Sequence, residues 1–247
     1  MRNIRLTLQY DGTNYSGWQV QASGRPTVQG TLLAVLRRIE GREVKLHAAG
    51  RTDAGVHALA QVANYFSAKH LPCDNLKRAI NASLPPDIRV TDVAEVDASF
   101  HARYCAKLKT YRYTIVLSQT VSPFEYRYVY HYPYKLDTAR IKEAARLMVG
   151  KHDFASFATA IDRDIDTVRT VTSIEVMSNE DRLMIEVTGD GFLRYMVRTM
   201  VGTLLEVGRS RLGLDDVVAA LKSRDRSLAG ETLPAQGLTL VAVHYED

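Results

Sequence analysis

The hydrophobic spacing of residues 1–96 switches between two periods in a set order, and that order most limits what the chain can fold into. Leu6 and Leu8 alternate with Arg5, Thr7 and Gln9, which predicts a half-buried strand over 3–10. From Val28 the spacing becomes four and three. Val28, Leu32, Val35, Leu36 and Ile39 then share one face of a helix over 27–40, with Thr27 as N-cap and Gly41 as stop. Val44–Ala48 reads as a short strand, and Gln61–Phe66 alternates again. Asp74–Ser83 reads as a second helix, capped by Asp74 and stopped by Pro85-Pro86, before a strand over Ile88–Val96. Strand, helix, strand, strand, helix, strand is a split β-α-β arrangement with mixed or antiparallel pairing.

The second half repeats the mixture. Asp137 opens a helix that carries Ile141, Ala144, Ala145 and Met148 on one face and stops at Gly150. Asp162, Asp164 and Asp166 fall in a polar loop. Val168–Met177 and Arg182–Gly189 pair around Asn179-Glu180-Asp181. A helix over 192–207 carries Arg194 and Arg198 one turn apart, Asp215–Lys222 forms another, and Leu238–His244 closes as a strand. The expectation is an α+β protein of two similar lobes, 1–104 and 105–247. Each mixes strands and helices, and a cleft lies between them.

Composition narrows the class. Hydrophobic residues make up 46% and charged residues 24%, as in a soluble globular protein. No apolar run approaches the roughly 18 residues of a membrane span, and the start alternates like a strand rather than a signal peptide. The two cysteines, Cys73 and Cys105, stand far apart, which suggests neither a zinc site nor a disulfide framework. They fit a reducing cytoplasm. Lys and Arg outnumber Asp and Glu by 32 to 28, which permits a polyanionic partner without demanding one.

The sequence holds no H-E-x-x-H, Walker, G-x-G-x-x-G or G-x-S-x-G motif. It does hold one well-framed acid, in Ala49-Gly50-Arg51-Thr52-Asp53-Ala54-Gly55-Val56-His57-Ala58. A carboxylate in a tight glycine-bracketed turn beside a guanidinium can stay ionised while partly desolvated. That suits a nucleophile or base, and it equally suits a capped turn. Phe100–Arg112 interleaves Arg103, Lys107, Lys109 and Arg112 with Tyr104 and Tyr111, and no acid interrupts it. Cations for phosphates and rings for bases make a nucleic-acid surface, although lysines and arginines also guard strand edges. Phe124, Tyr126, Tyr128, Tyr130, Tyr132 and Tyr134 alternate, which places six rings on one face of an extended segment. A buried sheet face or a subunit interface is the favoured use.

One acid, arginines and tyrosines fit covalent catalysis by Asp53 on an extruded base. Arg51 and Arg198 are candidates to fill the gap in the stack or to hold the carboxylate ionised. Tyr111 is the candidate ring to stack on the target. A non-catalytic RNA-binding protein and a metal-dependent hydrolase are the rival readings.

The segment Gly50–Ala58 resembles the signature of the TruA family of tRNA pseudouridine synthases. Tyr10-Asp11-Gly12-Thr13, Gly17-Trp18-Gln19, Thr27-Val28-Gln29 and Phe100-His101-Ala102-Arg103 are also similar to family segments. So are Thr110-Tyr111-Arg112-Tyr113, His152-Asp153-Phe154, Met196-Val197-Arg198 and Gly237-Leu238, in the family's order. Leu233-Pro234-Ala235 stands where many relatives have an alanine-proline run. The resemblance implies the pseudouridine synthase fold, with a mixed, largely antiparallel central sheet, flanking helices and a basic cleft. It implies a cytoplasmic isomerase that converts uridine to pseudouridine at positions 38, 39 and 40 of the tRNA anticodon stem-loop. Asp53 matches the nucleophile, Tyr111 the substrate-stacking tyrosine, Arg51 the base-flipping arginine and Arg198 the partner of the aspartate. The resemblance further implies a homodimer with tRNA lying across both subunits and no metal or organic cofactor. Attack by Asp53 at uracil C6, or action at ribose C1′ directly or through a glycal, would each accomplish the rearrangement.

Overall fold

The structure, a computed structural model, describes residues 1–159 and 165–246. The expected loop positions Asp162 and Asp164 lie outside the described residues. The chain forms two compact units, Met1–Lys107 with the C-terminal stretch from Leu240, and Leu108–Thr239.

In the first unit, β1 (Arg2–Tyr10) runs between β4 (Ile88–Val96) and β3 (His57–Ser67), antiparallel to both. A two-residue β2 (His47–Ala48) pairs with β3. The alternation of β1 works as expected: Ile4, Leu6 and Leu8 are wholly buried, while Arg5, Thr7 and Gln9 point the other way. Helix α1 (Val28–Glu40) begins where the Thr27 hydroxyl accepts from Gly30 N–H. It ends at Gly41 (φ 68), the left-handed stop that glycine adopts without strain. Leu32 and Leu36 are wholly buried on its inner face, each contributing about 1.5–3 kcal/mol of hydrophobic stabilisation. Helix α2 (Cys73–Ser83) packs on β4 and α1. Its cap is Pro72 rather than Asp74, because proline presets the entry angle (φ −54). Asp74 sits inside the first turn, where the helix dipole favours an acid.

Two buried asparagines fasten a loop to this sheet. Asn64 Nδ2 donates to Asn3 Oδ1 at 2.9 Å, and Asn64 Oδ1 accepts from Ala102 N–H at 2.9 Å. Asn3 Nδ2 donates to the Asp97 and Phe100 carbonyls at 2.8 Å each. Leaving one of these groups buried and unpaired costs roughly 1–3 kcal/mol, so segment 97–102 is held in place.

In the second unit, β5 (Leu108–Val116), β9 (Arg182–Gly189), β8 (Val168–Ser178) and β7 (Gly150–Asp153) lie side by side in that order. The β5–β9, β9–β8 and β8–β7 pairs are antiparallel, whereas β6 (Tyr130–His131) runs parallel to β5. Asn179 Oδ1 accepts from Asp181 and Arg182 N–H, which makes the expected turn between β8 and β9. Helix α3 (Thr138–Leu147) is capped by the Asp137 carboxylate and packs on β8 and on α4 (Met196–Gly208). Helix α5 (Leu214–Lys222) follows, and β10 (Leu238–His244) returns to lie beside β3. The α+β class and the mixed, largely antiparallel pairing are as expected.

Three further expectations change. The six alternating rings do not share a face. Ser122 accepts Glu125 and Tyr126 N–H through its carbonyl and Phe124 N–H through its hydroxyl, so 122–128 is turn. Phe124, Tyr126, Tyr128 and Tyr134 are exposed, and Tyr132 is buried. Helix α4 starts four residues later than its apolar spacing suggests, because Tyr195 takes a left-handed conformation (φ 64) that stops helix from extending backwards. Arg194 therefore lies outside it. Finally, Phe100–Arg112 is not one continuous surface. Arg112 pairs with Glu186 at 2.6 Å, Lys107 pairs with Glu246 at 2.9 Å, and Tyr111 is buried within β5. Arg103 and Tyr104 are exposed.

Candidate active site

Asp53 sits half-buried on the loop between β2 and β3. The loop is held from two sides. Toward β3, Ala49 N–H donates to the Val62 carbonyl at 2.8 Å, and Gln61 Nε2 donates to the Gly50 carbonyl at 3.0 Å. Toward the segment after β1, the Thr52 carbonyl accepts from Trp18 N–H at 3.0 Å, and Gly55 N–H donates to the Tyr15 carbonyl at 3.3 Å. Val56 N–H donates to the Asp53 carbonyl at 3.1 Å and closes the turn.

Glycines make this close approach possible. Gly17 has φ 88, and a Cβ there would stand 2.6 Å from the Thr52 carbonyl oxygen. A Cβ on Gly12 would stand 2.0 Å from the Val56 carbonyl oxygen. Of the two glycines that bracket the motif, only Gly55 needs a positive φ (79). Gly50 contributes its carbonyl to Gln61.

Beneath the loop, Tyr10 OH and Thr52 Oγ1 share a hydrogen bond at 2.8 Å, with Gln61 Nε2 at 3.4 Å from the same phenol oxygen. Burial pushes the Tyr10 hydroxyl up to about 12, against the opposing effect of the Thr52 and Gln61 bonds, so no charge forms there at neutral pH. His57 is 3% exposed, and its Nδ1 lies 3.0 Å from Gly12 N–H and 3.2 Å from Asp11 Oδ1. One ring nitrogen cannot serve both. The neutral ring accepts from Gly12 and carries its proton on Nε2, whereas a ring protonated at Nδ1 would turn to Asp11. Arg51, two residues before Asp53, is exposed. A half-buried carboxylate on a loop fixed at both ends, with its neighbouring peptides already bonded, is positioned as a nucleophile or base needs to be.

The second unit carries Tyr111 and Arg198. Tyr111 is 7% exposed on β5, edge-on to Phe192 at 5.3 Å. Arg198, in the first turn of α4, donates through Nε to the Leu233 carbonyl at 2.6 Å. Its guanidinium lies 4.8 Å from the Tyr195 ring centroid, and Arg194 lies 4.8 Å from the same ring. A left-handed backbone at a bulky residue is uncommon, and here it sets Tyr195 between the two arginines in sequence and within reach of both. Tyr113 OH donates to the Pro234 carbonyl at 2.8 Å, with its ring against Gly237, where a Cβ would come within 2.6 Å. Burial raises the Tyr113 hydroxyl well above its ordinary range, and the nearby Arg198 charge acts in the other direction. Arg51 and Asp53 belong to the first unit, and Tyr111 and Arg198 to the second.

Residues 7–105 and 144–246 match the family model described as tRNA pseudouridine synthase. The chain belongs to the tRNA pseudouridine synthase family. It is 44% identical over 247 residues to the tRNA pseudouridine synthase A of Geobacillus sp. (strain WCH70), covering 100% of this chain and 99% of that one. It is 44% identical over 245 residues to the protein of that name from Acetivibrio thermocellus, covering 99% and 100%. For the one from Solibacter usitatus, identity is 46% over 248 residues, covering 99% and 100%. In this tRNA pseudouridine synthase family member, Arg51 and Asp53 fall in the first matched block and Arg198 in the second. Tyr111 falls between the blocks.

Sequence reasoning singled out Asp53 but missed what holds it: Tyr10, Gly12, Gly17, Gln61 and His57. Two signals stood in the sequence, the glycines of 10–18 and the similarity of that segment to the family. Neither says which peptide a glycine must admit.

Proposed function

We propose that this protein isomerises uridine to pseudouridine at positions 38, 39 and 40 of the tRNA anticodon stem-loop, with Asp53 as nucleophile. The observation that carries the reading is the Asp53 loop: a half-buried carboxylate fixed between β3 and the 10–18 segment, in a family member matched along its whole length. The reaction breaks the N1–C1′ bond and forms a C5–C1′ bond. The C5 proton leaves, and N1 takes one up. Nothing is oxidised or hydrolysed, so the residues need only hold, ionise and reposition.

In this reading the N-terminal lobe, 1–104, carries Asp53 and the base-flipping Arg51. The C-terminal lobe, 105–247, carries Tyr111, which stacks on the target ring, and Arg198, which holds the carboxylate anionic. The chain works in the cytoplasm without metal or organic cofactor. It acts as a homodimer, for which the exposed rings of Phe124, Tyr126, Tyr128 and Tyr134 offer surface to a second copy. Light scattering should return twice the 27.6 kDa chain mass, and a monomer would refute the dimer.

Release of tritium from tRNA labelled at uracil C5 tests the reaction, and release should persist in excess chelator. Tyr111→Ala should slow it about 5- to 150-fold, the equivalent of the roughly 1–3 kcal/mol that base stacking contributes. Tyr111→Phe keeps the ring and isolates the hydroxyl. A Tyr111→Ala protein as fast as the wild type would remove Tyr111 from the site.

A further inference from the structure

Three rings of the first unit form a ladder outside the Asp53 loop. His47, on β2, lies 4.4 Å from the His101 ring centroid to centroid, and His101 lies 4.4 Å from Tyr104. The planes tilt by 46° and 34°. Tyr104 is 77% exposed, with the Arg103 guanidinium 5.9 Å from its centroid. So large an exposed ring buries little apolar area and adds little to the fold.

The exposed end is nevertheless rigidly built. Ala102 N–H donates to the buried Asn64, and the Ala102 carbonyl accepts from Tyr245 OH at 2.8 Å. His101 Nδ1 accepts from Arg103 and Tyr104 N–H at 3.1 and 3.4 Å, which leaves the neutral ring's proton on Nε2. Cys105 N–H closes the turn on the His101 carbonyl at 3.0 Å. A ring fixed in advance loses little conformational entropy when something stacks on it.

Charge and position indicate what that is. Lys45 and Arg103 flank the ladder, both exposed, and neither forms an ion pair among the described residues. Burial, with the nearby His101 ring and the Lys45 ammonium acting in the same direction, holds the His47 ring below the usual histidine range, so it stays a neutral stacking face at pH 7. The chain from His47 runs directly into the Asp53 loop, six residues on, a reach of at most about 20 Å. An RNA strand held at Asp53 need extend only a few nucleotides to span that distance.

We propose that His47, His101 and Tyr104, with Lys45 and Arg103, form a second contact for the RNA substrate. An unpaired nucleotide stacks on the outer face of Tyr104, and the two cations take the adjoining phosphates. The proposal rests on the reading of the protein as acting on tRNA.

The test compares wild type, Tyr104→Ala, Tyr104→Trp and Arg103→Gln. Filter binding to unmodified tRNA gives affinity across salt concentrations, and tritium release gives kcat and KM. Tyr104→Ala should lose about 5- to 150-fold in affinity and raise KM by a similar factor, with kcat unchanged and the thermal midpoint unmoved. Tyr104→Trp should bind at least as well as wild type. Arg103→Gln should reduce the slope of log affinity against log salt by about 1. A wild type that binds and turns over tRNA, beside a Tyr104→Ala protein of equal affinity and KM, overturns the ladder alone. So does a loss confined to kcat, which would mean that the turn acts through the catalytic loop. A wild type that binds no tRNA overturns the ladder and the reading beneath it together.

Discussion

Asp53→Ala should leave a folded protein that binds tRNA as well as the wild type or better, and releases no tritium from C5 above background. The carboxylate lies half-buried at the tip of a loop that is held by backbone hydrogen bonds and by bonds through Thr52, Tyr10 and Gln61. Truncating Asp53 therefore leaves those bonds in place. Binding should not suffer, because an acid facing an RNA backbone repels phosphate and its removal relieves that repulsion. Catalysis should vanish, because in the proposed function either route to pseudouridine begins with that carboxylate. Asp53→Asn adds a finer test, since it keeps shape and hydrogen bonding while removing the charge. Normal release by either variant would leave Asp53 as a structural acid in a capped turn.

Gly17→Ala should cost about 100-fold in kcat while the protein remains folded. The added Cβ faces two penalties. The backbone at φ 88 suits glycine and strains any other residue by roughly 1 kcal/mol. The Cβ would also lie 2.6 Å from the Thr52 carbonyl oxygen and 3.1 Å from the Asp53 carbonyl carbon and the Ala54 nitrogen. These are backbone atoms that cannot rotate aside, so the loop itself must shift. A nucleophile misplaced by about 1 Å loses roughly two orders of magnitude in rate. Gly24→Ala is the matched control. Gly24 also has a positive φ (69), but a Cβ there meets nothing within 4 Å, so it incurs strain without a clash. Its activity should match the wild type. Equal activity of Gly17→Ala and Gly24→Ala would show that the 10–18 segment does not set the Asp53 position.

What the sequence revealed depended on how local the signal was. Helix α1 was readable at both ends because its determinants, Thr27 and Gly41, lie within the helix's own turns. The cap of α2 was misplaced by two residues because Pro72 fixes the entry angle, while Asp74 carries the more familiar capping chemistry. Helix α4 was overextended because Phe192–Tyr195 continues the apolar spacing, and only the left-handed Tyr195 breaks it. The alternating rings misled in the same way. Period two is a strand signal, but Ser122 and Pro123 start a turn that outweighs it. The site divides along similar lines. Asp53 and Arg51 stand in one short motif and could be picked out together. The frame around them depends on pairs distant in sequence, with Tyr10 and Thr52 separated by 42 positions and Gly12 and His57 by 45. A single sequence marks such glycines and tyrosines as unusual without saying what they face. The ladder was half visible: Tyr104 and Arg103 stood out in a basic-aromatic run, but His47 joins them only through the pairing of β2 with β3 and the Asn64 anchor.

The central claim is best tested by mapping pseudouridine in an unmodified tRNA transcript before and after incubation with the purified protein. New pseudouridine at positions 38, 39 and 40, wherever a uridine stands there, and none with Asp53→Ala, is the expected result. A transcript without pseudouridine, or one modified only outside the anticodon stem-loop, would contradict the account.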